Sequence, residues 1–437
     1  MYSAGGRRCS ACTKIMSSSV SPFTALALAE QQLGTLDAAL LRRRLKQTQS
    51  PCDVEVKVAG RLLKAFCSND YLGFANHPQL IAAMAEGAAQ YGVGSGASHL
   101  ISGHSLAHDL LETELARTQK EHIDDARALF FCTGYLANIT AITALAGLGL
   151  HAANHNTGIS IYSAQLNHAS LIDGVKLAAA QTKATVHLFD HTNLIHLKEM
   201  LQIDSSAHKL IVTDGVFSMD GDLAPVANLL TIAEAQDALL IVDDAHGFGV
   251  LGKFGHGILE HFQIQSDRIV YIGTLGKAAG VSGAFVCAHK TLMECLIQKG
   301  RPYIYSTATP PAIAHTVLAS LQLIEGEEGQ VRRAHLDQLI TIWRQEMQLQ
   351  QWQMSPSITP IQPLVLGSNA AALLASKQLD DAGYWIPAIR PPTVPEGSAR
   401  LRITFSANHS IEAVRELICE LQKIEASVHT SSETKIG

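Results

Sequence analysis

A predominantly parallel, doubly wound α/β sheet followed by a smaller α+β domain is the fold this sequence predicts, and three observations carry that expectation. Short β-rich runs recur at 126–132, 159–163, 185–190, 209–216, 238–243, 269–273 and 283–288, with helical patterns in the longer intervals between them. Some runs are continuously apolar, as Ile269 to Ile272 is, which suits strands covered by helices on both faces. The chain has 437 residues, 47% hydrophobic and 16% charged, enough for one large core and an appendage.

Taken in order, residues 1–20 carry Arg7, Arg8 and Lys14, no acids and the run Ser17-Ser18-Ser19. An organellar transit segment, a disordered extension and a start codon placed too far upstream all fit, and the stretch is set outside the fold. Residues 21–65 are expected to hold a helix ending near Lys46, with the basic cluster Arg42, Arg43 and Arg44, and then a hairpin over 53–67 turning at Ala59-Gly60. A large domain is expected over 66–310. It starts with the polar turn Ser68 to Gly73, helix 78–90 and a glycine-rich loop over 92–103, which follows a helix rather than a strand and so is a poor dinucleotide fingerprint. Strand 126–132 runs through Thr133-Gly134-Tyr135 into a helix from near Leu136, whose free N–H groups make an anion site suited to phosphate. Pro302 to Pro311 reads as the crossing into a small domain over 311–427, with helices 312–325 and 327–351 and strands 360–366, 384–389 and 399–405; a polar tail, 428–437, closes the chain.

The chemistry gathers where strands end. In an open α/β sheet the loops after the strand C-termini form the ligand crevice, and the run 269–273 ends in Gly273-Thr274-Leu275-Gly276-Lys277. A lysine delivered there, in a drier pocket or near other cations, can attack a carbonyl. The preceding strand ends in Asp243-Asp244-Ala245-His246, with Asp243 and Ala245 on one face. Pyridoxal phosphate requires a carboxylate at its ring nitrogen, a small residue under the ring, a donor near its phenolic oxygen and a lysine for its aldehyde. Asp243, Ala245, His246 and Lys277 match that set.

Other classes find little support. A net charge of −6 leaves no basic footprint for nucleic acid, and no stretch of about 18 apolar residues offers a membrane span. The eight cysteines do not form a disulfide framework, a reducing compartment suits them, and a cytoplasmic location is expected. Cys9 and Cys12 form one Cys-x-x-Cys without a second pair at zinc spacing, and the 20 histidines are scattered, so no metal is expected. Lys277 does not stand in a Walker A loop, and neither a Gly-x-Ser-x-Gly elbow nor a His-Glu-x-x-His pair occurs.

With these residues assembled, the chain resembles the α-oxoamine synthases, pyridoxal-phosphate enzymes of the aspartate-aminotransferase fold. The likeness covers about residues 25 to 425. It rests on Ser68 to Gly73, the Gly94 to Gly103 loop, Leu166 to Leu171, Val216 to Gly221, Asp243 to His246, Gly273 to Lys277, Ile304 to Thr307 and Ile389 to Pro395, all in family order. The resemblance implies that Lys277 joins the cofactor's aldehyde and then acts as base, that Asp243 keeps the ring nitrogen protonated and that His168 stacks over the ring. It implies further that His246 and Ser218 address the phenolic oxygen, that Gly134, Tyr135 and Thr274 cradle the phosphate, and that Thr307 reaches the phosphate of a neighbouring subunit in a homodimer. Arg42, Asn69, Thr393 and Arg402 match substrate positions, Arg402 that of the arginine for the amino acid's carboxylate. Arg42 is one of three adjacent arginines, and His99-Leu100 stand where a Gly-His pair can occur, so no role is carried onto His99 or Leu100. The implied reaction is a decarboxylating condensation of L-alanine with a pimeloyl thioester, of coenzyme A or acyl carrier protein. Sister activities of the 2-amino-3-oxobutyrate ligase, 5-aminolevulinate synthase or serine palmitoyltransferase type share most of these residues. A transaminase is a weaker alternative, and a pyridoxal-phosphate-binding regulator would need a partner or DNA-binding module.

Overall fold

The computed structural model describes residues 24–151 and 158–433, so the expected extension over 1–20 and the end of the 428–437 tail lie outside the described residues. It divides into two units, residues 1–45 and 46–437. In the first, helix α1 (Thr24–Ala38) buries none of its residues, and Arg42 pairs with Asp37 at 2.5 Å.

The second unit opens with a hairpin of β1 (Glu55–Val58) and β2 (Arg61–Ala65). Ala59 and Gly60 both take positive φ, 48° and 81°, the geometry of a two-residue turn whose twist matches that of the strands. Helix α2 (Pro78–Tyr91) follows. Within the glycine-rich loop, His99–Gly103 close into one π-helical turn before α3 (Leu106–Gln119).

Seven strands then build the main sheet: β3 (Ala126–Phe131), β4 (Ile159–Ala164), β5 (Thr185–Phe189), β6 (His208–Asp214), β7 (Ala238–Asp243), β8 (Ile269–Thr274) and β9 (Ala284–His289). Their order is β3-β9-β8-β7-β6-β4-β5, parallel from β5 to β8, with β9 antiparallel to both neighbours. Successive residues face opposite layers. Ile161, Leu210, Val212, Ile241, Val270 and Ile272 join one apolar cluster, while Tyr162, Ile211, Leu240, Val242, Ile269 and Tyr271 join the other. Helices therefore cover both faces, which is why these strands read as unbroken apolar runs. Two of the helices matter below, α4 (Gly134–Ala146) and α5 (Ala169–Thr182), both on the same side.

A second, antiparallel sheet has the order β10-β11-β14-β13, from Gln353–Met354, Ile361–Gly367, Ala399–Thr404 and Ala388–Ile389. The run expected as one strand over 384–389 is divided. Its first part, β12 (Tyr384–Trp385), pairs parallel with β2, and its second, β13, pairs with β14. Pro387 lies at the break, where it has no N–H for a ladder. The segment expected as helical over 327–351 ends at Glu346, and the Glu425 carboxylate accepts from the amides of Gln350, Gln351 and Trp352 beyond it. Among the described residues no helix is long and apolar enough to cross a membrane.

Candidate active site

A cavity of about 350 Å³ opens at the C-terminal ends of β6, β7 and β8. Its chemistry starts from Lys277, three residues past β8, whose Nζ lies 3.1 Å from His246 Nε2. Burial destabilises the ammonium and brings the Lys277 pKa down to about 8, although the carboxylates of Asp243 and Asp214 pull the other way. Burial also lowers the His246 pKa well below its usual range, with Lys277 adding to the effect, so the imidazole is neutral. The hydrogen bonds then run in one direction. Lys277 donates to Nε2, Nδ1–H faces the Tyr71 hydroxyl at 2.6 Å, and Tyr71 donates to Asn69 Oδ1 at 3.2 Å.

The carboxylates come from adjacent parallel strands in register, Asp214 opposite Asp243. Asp243 Oδ2 accepts from Asn138 Nδ2 at 2.5 Å, and Oδ1 accepts from the Ala245 amide at 3.0 Å. Asn138 lies one turn into α4 and also donates to Ser170 Oγ, which lies 2.7 Å from His168 Nδ1. His168 caps α5, and its backbone N–H donates to Asp214 Oδ2 at 2.6 Å. Burial, reinforced by Asp243, pushes the Asp214 pKa well above the usual carboxylate range. His168 is lowered by burial, which favours the neutral ring.

The start of α4 closes one wall. Thr133 caps the helix by accepting from the Leu136 amide at 3.2 Å, which leaves the N–H groups of Gly134 and Tyr135, both lining the cavity, for a ligand. A Cβ on Gly134 would stand 2.7 Å from Thr274 Cγ2, so only glycine fits between that helix and β8. Thr274 in turn donates to the Ala245 carbonyl at 3.0 Å.

Of the residues singled out from sequence, Lys277, His168, Asp243, His246, Gly134, Tyr135, Thr274 and Asn69 line this cavity. Arg402, on β14, stands behind Asn69, donating to its Oδ1 at 3.1 Å and to the Ser218 carbonyl at 2.6 Å. Thr307 forms an isolated bridge with Ser98, and the Thr393 amide donates to the Arg390 carbonyl; neither lines the cavity. Arg42 belongs to the first unit. Sequence reasoning gave no role to Tyr71, Asn138, Ser170 or Asp214, although Tyr71 and Ser170 sit inside quoted motifs and Asp214 lies in the expected strand run 209–216. Four other clefts, of about 410, 550, 560 and 670 Å³, are larger, but none joins a lysine to a network of this kind. Chemistry rather than volume selects the site.

Residues 64–421 match the family described as aminotransferase class I and II, and the chain belongs to that family. Within it, the chain is 54% identical over 396 residues to the 8-amino-7-oxononanoate synthase of Janthinobacterium sp. (strain Marseille), covering 91% of this chain and 97% of that one. A solved 8-amino-7-oxononanoate synthase from Francisella tularensis is 29% identical with a TM-score of 0.68, over 85% of this chain and 99% of that one. A serine palmitoyltransferase variant from S. paucimobilis, solved with PLP and myriocin bound, superposes with a TM-score of 0.82 over 94% of this chain and 100% of that one. Its 23% identity carries the fold alone.

Proposed function

We propose that the chain catalyses the decarboxylating condensation of L-alanine with a pimeloyl thioester to 8-amino-7-oxononanoate, carbon dioxide and the free thiol carrier, the reaction that serves biotin biosynthesis. The observation that carries the reading is the buried Lys277 amine, pKa about 8, set among Asp243, His246 and His168 at the strand ends. The 54% identical relative selects this reaction among its sisters.

The residues present fit pyridoxal phosphate. The Lys277 amine is available to its aldehyde, Asp243 to its ring nitrogen, and the α4 amides, Gly134 and Thr274 to its phosphate. Asn138 Oδ1, buried and without a hydrogen-bond partner, marks space for a further polar group. When bound, this cofactor supplies an electron sink for a carbanion at the amino acid's α-carbon.

The chain's own groups do the rest. Lys277 takes the alanine α-proton, a role suited to an amine whose pKa is near neutral. Asp243, held by Asn138 and the Ala245 amide, presents a fixed negative charge to the ring nitrogen. With the cofactor bound, His168 would cover its ring, and His246, backed by Tyr71 at 2.6 Å, would serve its phenolic oxygen. Arg402 keeps donors beyond those given to Ser218 and Asn69, and these bind the alanine carboxylate. Thr307 serves the site of a second copy in a homodimer, and Thr393 contacts the substrate.

The test is carbon dioxide release from carboxyl-labelled L-alanine by the pyridoxal phosphate-loaded protein, with and without pimeloyl thioester. Release that requires the thioester, with an amino-ketone product, is the expected result. Condensation with glycine or serine and another acyl thioester, but not with alanine, would move the chain to a sister activity. Running pimeloyl coenzyme A and pimeloyl acyl carrier protein in parallel identifies the carrier.

A further inference from the structure

The π-helical turn His99–Gly103 and the start of α3 bring three imidazoles together away from the cavity of the reaction. The ligand nitrogens of His99, His104 and His108 lie within 4.8 Å of one another, and His99 Nδ1 is 2.9 Å from His104 Nδ1. At that separation two neutral rings share one hydrogen between them. Two nitrogens on a tetrahedral zinc ion, with bonds of about 2.0–2.1 Å, stand roughly 3.3 Å apart. An opening of a few tenths of an ångström therefore converts the shared hydrogen bond into two metal bonds, the donor ring moving its N–H to Nε2, where the acceptor ring already carries its own.

His108 is set up as the third ligand. Its Nε2–H donates to the Thr309 carbonyl at 2.7 Å, which fixes the tautomer and leaves the lone pair on Nδ1, the outer arrangement typical of a ligating histidine. In the metal-free chain that lone pair accepts from the Ser105 amide at 3.0 Å, with Ser105 Oγ also at 3.0 Å, and the ion would replace those contacts. His99 is held by stacking on Tyr303, ring centres 4.7 Å apart and planes 10° from parallel. Burial lowers the pKa of all three rings, His99 to about 3, so each offers a lone pair at neutral pH. His104 is exposed on the 560 Å³ cleft, which gives an ion a way in and a fourth ligand position for water. Of the charges that face His104, Asp109 favours a cation and Arg127 opposes one.

We propose that His99, His104 and His108 form a binding site for a divalent transition-metal ion of the zinc class. The ion would fasten the glycine-rich segment to α3, next to the Ser98–Thr307 bridge. The site does not depend on the reaction proposed above.

The test uses untagged, pyridoxal phosphate-loaded full-length chain with Cys9→Ser and Cys12→Ser, so that this thiol pair cannot compete. After chelator treatment it is titrated with Zn²⁺ against a chromophoric chelator, and with Co²⁺ while its visible absorption is followed. One equivalent per chain is expected, with a tetrahedral cobalt spectrum and a higher unfolding temperature in Zn²⁺. Loss of a direct ligand should cost at least the roughly 10–100-fold seen for outer partners, so His104→Gln and His99→Gln should each weaken Zn²⁺ by about 100-fold and remove the thermal shift. Less than half an equivalent bound, or wild-type affinity in both variants, would overturn the site. His104 is exposed, so its replacement leaves the fold intact and keeps the comparison valid.

Discussion

The two cations proposed for the active site, Lys277 just past β8 and Arg402 in the middle of β14, are held by opposite means. Lys277 stands on a short loop of the main sheet with its amine 3.1 Å from a neutral His246, and burial lowers its pKa to about 8. Arg402 lies in the antiparallel sheet with its guanidinium fastened to the Ser218 carbonyl and Asn69. A group whose proton is easily lost suits covalent and acid–base work, whereas a planar fork held in place suits a carboxylate. On the proposed reading, chemistry belongs to the main sheet and recognition to the small one.

The largest effect that can break this division is at Lys277. In Lys277→Ala, turnover measured by carbon dioxide release should fall by about 10⁴ or more, with loss of the visible absorbance of lysine-bound cofactor. Retention of a tenth of the activity would sink the assignment. The same amine sets a pH dependence. Its folded pKa is depressed, so the reactive free base grows with pH, is half formed near pH 8 and saturates above it. Uptake of pyridoxal phosphate by cofactor-free chain, followed by stopped flow, should therefore show its midpoint near pH 8, where an exposed lysine would have it at about 10.

Next in size is Asp243→Asn, which keeps the shape and removes the charge. The turnover number should drop on the order of 10², the usual cost of losing one preorganised electrostatic partner. Arg402→Lys sharpens the other side of the comparison. It keeps a cation but gives up the fork, so KM for alanine should rise about tenfold while the turnover number changes less. An equal fall in kcat and kcat/KM would place Arg402 with the chemistry instead.

The two sides also differed in how much could be read from sequence. Asp243, Ala245, His246 and Lys277 were legible because strand ends in a parallel sheet converge and side chains on a strand alternate. Asp214 and Asn138 were not, since each acquires its place from strand register or from the packing of α4 against the sheet. Arg402, Asn69 and Ser218 come from three distant segments, and family likeness alone brought them together. Pro387 explains why one expected strand became two. His99, His104 and His108 looked scattered because a π-helical turn has neither a strand's nor an α-helix's period, so no spacing rule announces that the three rings meet.

The smallest expected effect separates the two aspartates themselves. Asp214 and Asp243 face each other across β6 and β7, and burial, reinforced by Asp243, drives the Asp214 pKa well above the carboxylate range. That shift favours the neutral acid at Asp214, whose Oδ2 accepts the His168 backbone N–H at 2.6 Å. An amide oxygen accepts that bond equally well, so Asp214→Asn should leave activity within roughly threefold, while the same exchange at Asp243 costs on the order of 10². Asp214→Ala removes the acceptor and strands a buried N–H, which should lower unfolding stability by about 1–3 kcal/mol. Steady-state rates and denaturant midpoints for the three variants test this directly. Equal losses in Asp214→Asn and Asp243→Asn would mean that both carboxylates are charged in the working enzyme, and that the proton separating them is not on Asp214.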